Sequence, residues 1–118
     1  MDLDFEDSED GIRQIRLVGR MDMEGAQEVD LKFTSLTASR QAFVIVDLSL
    51  VEFLSSLGLG TLVRSAKAQM SRQGKFVLLS PRPHVARVLQ STQIDQILEV
   101  YYDLEQAQQA VRPQRAAD

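Results

Sequence analysis

Cysteine is absent from this sequence of 118 residues. The chain therefore forms no disulfide, holds no cysteine-ligated zinc and carries no thiol nucleophile, and a reducing compartment suits it. Long apolar runs are also missing, since a stretch such as residues 43–46 falls far short of the ~20 residues that a membrane-spanning helix needs. The N-terminus is acidic where a secretory leader would be basic and then apolar. We therefore expect a cytoplasmic protein without membrane insertion.

Motifs for metal binding, nucleotide binding and catalysis are scarce. His84 is the single histidine, so it lacks a second imidazole for a metal site, and a surface or capping role suits it better. Residues 58–60 read Gly-x-Gly but lack the third glycine of a dinucleotide fingerprint, and no P-loop sequence occurs. The acidic residues Asp22, Asp47 and Glu52 are not accompanied by a Gly-x-Ser-x-Gly nucleophile motif. These features favour a protein that is not an enzyme and needs no cofactor.

The charge of the chain is unevenly distributed. Asp and Glu outnumber Lys and Arg by 17 to 13, which gives a net charge of −4 and a pI of about 4.9. Residues 1–10 carry six acids and no base, so the remainder of the chain is nearly neutral. A protein that bound nucleic acid by neutralising phosphates would be basic, so we expect no direct nucleic-acid partner.

The apolar pattern predicts alternating strands and helices. Strands are expected near residues 3–5, 12–18, 43–48, 75–79 and 98–101, with Gly19 ending the second of them, and helices at residues 24–39, 57–72, around 85–89 and 103–111. The first two strands should pair as a hairpin, and the later strands should run parallel through right-handed crossovers. The order β-β-α-β-α-β-α-β-α predicts an α/β fold with a mixed, mostly parallel sheet. We expect a single domain over residues 1–112 and a frayed tail at residues 113–118.

The segment over residues 51–60 carries most of the functional information. It connects a buried strand to an amphipathic helix, which places Ser55 and Ser56 at the C-terminal edge of the sheet and at the start of the helix. Serine is a common helix cap, so capping alone explains serines here. A helix N-terminus also favours anions, so it would tolerate a phosphate on either serine. These residues alone leave both roles open.

The same segment carries a resemblance to a known family. Residues 46–60 resemble the signature of STAS domains, the modules of sulfate transporters and anti-sigma factor antagonists, in which Phe, an apolar residue and Asp-Ser-Ser/Ala-Gly follow a buried strand. Residues 19–22 resemble the family's Gly-x-Leu-Asp turn, and residues 74–79 resemble its strand before a proline turn. With Val88, Leu89 and Ile94, these pieces extend the likeness over essentially the whole chain.

The resemblance implies a bacterial anti-sigma factor antagonist, a non-catalytic transcription regulator that works by partner switching. Such a protein binds an anti-sigma factor serine kinase of the GHKL type until phosphorylation breaks the complex, and a phosphatase restores it. Ser56 matches the phosphorylated serine, and Asp22 matches the acidic residue of the neighbouring turn. Partner contacts are expected from Asp22, Ser55, Ser56, Leu57 and Gly58. Ser55 stands where the family generally has Asp, and Leu57 stands where a small residue is usual.

Two other interpretations remain open. The chain could be a structural subunit that docks on the ATPase of an ABC transporter, as in lipid-trafficking complexes, without phosphorylation. Ser56 would then be only a cap or a contact residue. The same helix N-terminus could also bind a small anionic ligand directly.

Overall fold

The computed structural model describes residues 1–113, which form one five-stranded sheet and four α-helices. The strands are β1 Asp2–Asp7, β2 Arg13–Met21, β3 Phe43–Leu54, β4 Lys75–Leu79 and β5 Glu99–Tyr101. The helices are α1 Met23–Thr37, α2 Ser56–Arg72, α3 Pro83–Ser91 and α4 Leu104–Val111, with a short 3-10 turn at Ile94–Gln96. The expected α/β element order is confirmed. The tail expected from residue 113 lies, from residue 114 onward, outside the described residues.

The strands lie in the sheet in their chain order, β1-β2-β3-β4-β5. β1 and β2 pair antiparallel as the expected hairpin, and every later pair is parallel. The C-terminal ends of β2 to β5 therefore point toward the same edge of the sheet. Because the strands advance in one direction, right-handed crossovers place α1, α2 and α3 on one face.

Two apolar cores lie on opposite faces of the sheet. The larger core joins α1, α2 and α3 to the strands, and within it the rings of Phe33 and Phe76 meet edge to face with centroids 6.3 Å apart. The smaller core packs Ala107 and Val111 of α4 against the other face. The first half of β3 contributes to both cores, as its continuously apolar sequence predicts for a strand buried on both sides.

Three strands extend further than the sequence predicts, and β1 does so by one residue at its start and two at its end. β2 does not end at Gly19 but continues to Met21, because Gly19 has a φ of 115° and takes part in a bulge rather than a turn. β3 does not end at Leu48 but continues to Leu54. The pairing of β2 with β3 shifts twice, and each shift places one extra residue on β3. The added length brings both strands to the edge where α1 and α2 begin.

Within residues 1–113, no helix combines the length and the apolar composition needed to cross a membrane.

Candidate functional site

The ends of β2 and β3 lie side by side at the C-terminal edge of the sheet. Met21 is the register partner of Leu54, and the backbone N–H of Ser55 donates a hydrogen bond to the Met21 carbonyl oxygen at 2.9 Å. Asp22 and Ser55 are the next residues in their segments. The structure therefore places the acidic turn beside the strand-to-helix connection that carries the two serines.

Both residues are the N-caps of the helices that follow. The Asp22 carboxylate accepts a hydrogen bond from the Gly25 N–H at 2.8 Å, and the Ser55 hydroxyl accepts one from the Gly58 N–H at 3.1 Å. Each cap residue has extended backbone angles, which are typical of this position. The two helix N-termini are thereby fixed next to each other, so their unpaired N–H groups create a region of positive potential.

Glycine allows the helices to approach the strands closely at this edge. A Cβ atom on Gly25 would lie 2.0 Å from the Arg20 carbonyl oxygen. A Cβ atom on Gly58 would lie 2.8 Å from Met21 Cγ and 3.0 Å from Leu54 Cδ1. Gly58 is buried, and the absence of a side chain there lets the first turn of α2 pack directly on Met21 and Leu54.

Ser56 and Ser55 have different surroundings although they are neighbours. Ser55 is half-buried and its hydroxyl caps α2, whereas Ser56 is the exposed first residue of that helix. The Ser56 hydroxyl has no hydrogen-bond partner among the described residues. A phosphate placed on Ser56 would therefore break no existing contact of its hydroxyl and would lie at the positive end of α2.

Exposed apolar side chains occupy the same edge as Ser56. Leu57 and Phe53 are each 38% exposed, and Met23, the first residue of α1, is 66% exposed. The guanidinium of Arg20 lies 4.7 Å from the centre of the Phe53 ring, and its Nε is 3.7 Å from the Asp22 carboxylate. Ser56 is thus accompanied by apolar groups and one exposed charge pair, a composition that suits protein docking better than catalysis.

The sequence profile of the STAS domain matches residues 7–107. The chain belongs to the STAS domain family. A protein of Thermotoga maritima, named as a candidate anti-sigma factor antagonist, is 38% identical over 69 residues, which are 58% of this chain and 61% of the relative. The match thus spans less than two thirds of the length of that relative.

Solved structures share the arrangement of this STAS domain over nearly its whole length. A structure from Thermotoga maritima, described as a candidate anti-sigma factor antagonist, has a TM-score of 0.85 and 26% identity, covering 94% of this chain and 95% of its own. The anti-sigma factor antagonist SpoIIAA of Bacillus in its unphosphorylated form has a TM-score of 0.75 and 19% identity, covering 92% and 96%. Its phosphorylated form has a TM-score of 0.69 and 18% identity, covering 92% and 99%. The likeness to SpoIIAA concerns the fold alone.

Three further candidate residues of the sequence analysis lie away from Ser56 or have other roles. Asp47 lies in the middle of β3, where its carboxylate accepts a hydrogen bond from the Ser49 N–H at 2.9 Å. Glu52 is exposed, and its backbone carbonyl contacts Nε2 of His84. His84 is an exposed residue in the first turn of α3, in keeping with the surface role expected for it.

Sequence reasoning missed three residues near the site, Arg20, Phe53 and Arg82. Arg20 and Phe53 are register partners across β2 and β3, but two bulges hide that pairing from any count along the sequence. Arg82 Nε donates a hydrogen bond to the Ser49 carbonyl oxygen at 2.9 Å, although 33 residues separate the two. No sequence pattern indicates these contacts, because each depends on a partner that lies in another strand or helix.

Proposed function

We propose that this STAS domain is an anti-sigma factor antagonist that binds an anti-sigma factor through the surface around Ser56. Phosphorylation of Ser56 by that partner, a kinase of the GHKL type, would break the complex, and a phosphatase would restore it. The observation that carries the proposal is the exposed Ser56 hydroxyl at the start of α2, free of partners among the described residues and accompanied by exposed apolar side chains. The names of the relatives support the regulatory role.

The physics of a phosphate at this position favours a switch. A phosphoserine adds about −1.5 to −2 charges, and at a helix N-terminus this charge is compatible with the fold. The same charge opposes docking of an apolar surface, because the phosphate would have to lose its water in the interface. Phosphorylation would therefore change binding without unfolding the domain. The domain itself would carry out no catalysis, and ATP and magnesium would belong to the kinase in the cytoplasm.

The residues around Ser56 would contribute to partner recognition in different ways. Leu57 offers an exposed apolar contact directly beside Ser56, and Asp22 offers a carboxylate that is shared with its capping role. Ser55 and Gly58 would act mainly by fixing the backbone of the first turn of α2. Specificity for one anti-sigma factor would come from the exposed groups.

The decisive experiment changes the charge at Ser56 and maps the phosphate. Unmodified protein, Ser56→Ala and Ser56→Asp are titrated by calorimetry against the GHKL kinase encoded beside the gene. Ser56→Ala should bind like the unmodified protein, and Ser56→Asp should bind about 5-fold to 150-fold more weakly, or about 1–3 kcal/mol, with the smaller effect expected since aspartate carries less charge than phosphate. After incubation with kinase and ATP, peptide mapping should find the phosphate on Ser56.

The matched control is Gln106→Glu, which also adds one negative charge in the first turn of an exposed helix, but on the opposite face of the sheet. It should bind like the unmodified protein. Melting curves confirm that every variant is folded. Equal affinities for all variants, together with phosphate on another residue or on none, would contradict the proposal and favour a docking subunit that works without phosphorylation.

A further inference from the structure

β3 extends beyond its neighbour on one side. β4 pairs with β3 only as far as the register partners Asp47 and Leu79. Of the seven residues of β3 that follow, four have register partners in β2, and among the described residues none has a strand partner on the other side. This half-paired segment leads directly into Ser55 and Ser56, so whatever holds its outer edge also holds the start of α2.

Two side chains from the beginning of α3 fill the outer edge of this segment. Arg82 Nε donates a hydrogen bond to the Ser49 carbonyl oxygen at 2.9 Å, and Nε2 of His84 contacts the Glu52 carbonyl oxygen. A carbonyl oxygen can only accept, so the imidazole carries its proton on Nε2 in this contact. These donors take the place of the N–H groups that a neighbouring strand would supply.

The residue type at the N-cap of α3 supports the view that Arg82 bonds to β3 instead of capping its own helix. Arg82 is the N-cap of α3, a position that normally carries an acceptor such as Ser, Thr, Asp or Asn. An arginine side chain has donors only, and Arg82 makes no side-chain cap hydrogen bond to its own helix. Pro83 follows at the first helical position, where its missing N–H leaves one donor fewer to satisfy. The helix thus begins without a side-chain cap while the side chain of Arg82 bonds to the strand.

We infer that Arg82 and His84 are positioning residues for Ser56, which clamp the outer edge of β3 and thereby fix the first turn of α2. The inference rests on the proposed function where it concerns phosphorylation. Removing the clamp should let the end of β3 open more often, and Ser56 should then be presented to the kinase less of the time.

The test measures local opening and phosphorylation in the full chain. The reporter of opening is hydrogen exchange of the Ser55 amide, which bonds to Met21, and the reference is the Val46 amide in the part of β3 that has strands on both sides. In Arg82→Ala and His84→Ala, Ser55 exchange should become about twofold to tenfold faster, as expected for the loss of one hydrogen bond, with Val46 unchanged. The phosphorylation rate should fall in the same variants, but by less than the exchange rate rises, because it follows the closed fraction of the molecules and exchange follows the open fraction.

Conservative and control variants separate a clamp from other roles. Arg82→Lys and His84→Gln keep a donor at each position, so both should largely restore Ser55 protection and the phosphorylation rate. Arg87→Ala removes an exposed arginine from the same helix and should change neither.

Unchanged Ser55 exchange in both alanine variants would overturn the inference. If phosphorylation were slower while exchange stayed unchanged, Arg82 and His84 would be direct partner contacts instead. Faster Ser55 exchange in a protein that the kinase never phosphorylates would support the clamp and refute the proposed control at Ser56, so the two proposals fail separately.

Discussion

Ser55 and Ser56 show how two identical side chains acquire different chemistry from their position at a helix start. Ser55 stands at the N-cap, where its half-buried hydroxyl accepts a hydrogen bond from the Gly58 N–H. Ser56 stands one residue later, and its side chain points out of the first turn. The Asp that the STAS pattern generally has at this position would also offer an oxygen to the Gly58 N–H. Serine in place of that Asp therefore preserves the cap but removes a negative charge beside Ser56.

Asp22 combines a structural and an electrostatic role that two substitutions can separate. Asp22→Ala removes the acceptor for the Gly25 N–H and should lower the free energy of unfolding by about 0.5–2 kcal/mol. Asp22→Asn keeps an acceptor oxygen, so its stability should stay close to that of the unmodified protein, but it loses the charge opposite Arg20. If the partner contacts this charge, Asp22→Asn should weaken binding in calorimetry while the urea denaturation curve hardly moves. Unchanged binding in both variants would make Asp22 a helix cap and nothing more.

At the scale of elements, β3 shows what the sequence can predict and where it fails. Residues 43–46 are apolar and β-branched, and they form the buried strand that this pattern indicates. Further along, the buried side chains are Leu48, Val51 and Leu54, which are spaced by three because two bulges each add a residue. The alternation of apolar and polar residues by which a strand is normally recognised in a sequence is therefore missing from this part of β3. Pairing partners, which lie elsewhere in the chain, decide that this segment is a strand.

The candidate site divides in the same way. Asp22 and Ser55 could be predicted as caps because capping depends on residue type and on the few residues that follow. Arg20, Phe53 and Arg82 could not be predicted, because their roles depend on contacts between strands and helices that are distant in sequence. Residue types within a few positions of each other thus indicate where the site lies, whereas contacts between distant segments determine which other side chains surround it.

The connection between α1 and β3 depends on one buried side chain, Gln69 of α2. Its amide donates to the carbonyl oxygens of Thr37 and Arg40 and accepts the Ala42 N–H at 2.8 Å. Gln69→Ala would leave these backbone groups without partners in a site closed to water, so we expect a loss of about 1–3 kcal/mol or more in urea denaturation. Gln27→Ala on the exposed face of α1 is the control and should change little. A Gln69→Ala variant as stable as this control would show that water replaces the lost amide.

The β1–β2 hairpin contains an ion pair whose contribution depends on pH. Arg13 bonds to both carboxylate oxygens of Asp7, at 2.7 and 2.9 Å, and this hydrogen bonding lowers the pKa of Asp7 below its ordinary value of 3.8. Because the folded state then binds a proton less readily than the unfolded state, the pair stabilises the fold above the unfolded pKa. Its contribution is lost as the pH falls through the lowered folded pKa.

Asp7→Asn tests this pH dependence. The pair is largely exposed to solvent, so the variant should lose only about 0.2–1 kcal/mol of stability at neutral pH. The difference between the two proteins should shrink toward zero in melts at pH values below the folded pKa. Asp4→Asn is the control, because Asp4 lies 3.8 Å from Arg16 and is more exposed. A difference that stays constant over the whole pH range would show that the ionised pair is not its cause.

For the molecule as a whole, the uneven charge coincides with an edge of the sheet. β1 is an outer strand, and within residues 1–113 it pairs only with β2. An edge strand exposes unpaired backbone groups that can add another chain, and charged side chains are a common protection. Six of the 17 acidic residues lie on and next to β1, and residues 1–10 contain no base, so this edge strand carries a concentrated negative charge that opposes self-association.

Neutralising the edge charges should therefore cause self-association that neutralising other charges does not. The edge variant combines Asp2→Asn, Asp4→Asn and Glu6→Gln, which keep the side-chain sizes along β1. The control variant combines Glu24→Gln, Asp95→Asn and Glu105→Gln at exposed positions elsewhere. Each loses three negative charges from a net charge of −4, so any general effect of net charge on solubility is matched.

Sedimentation velocity at increasing protein concentration should show a larger average mass for the edge variant alone. Raising the salt concentration should shift the unmodified protein in the same direction, because salt screens exposed charges. Equal sedimentation of the two variants would mean that the twist or the short length of β1, rather than its acids, keeps the edge unpaired.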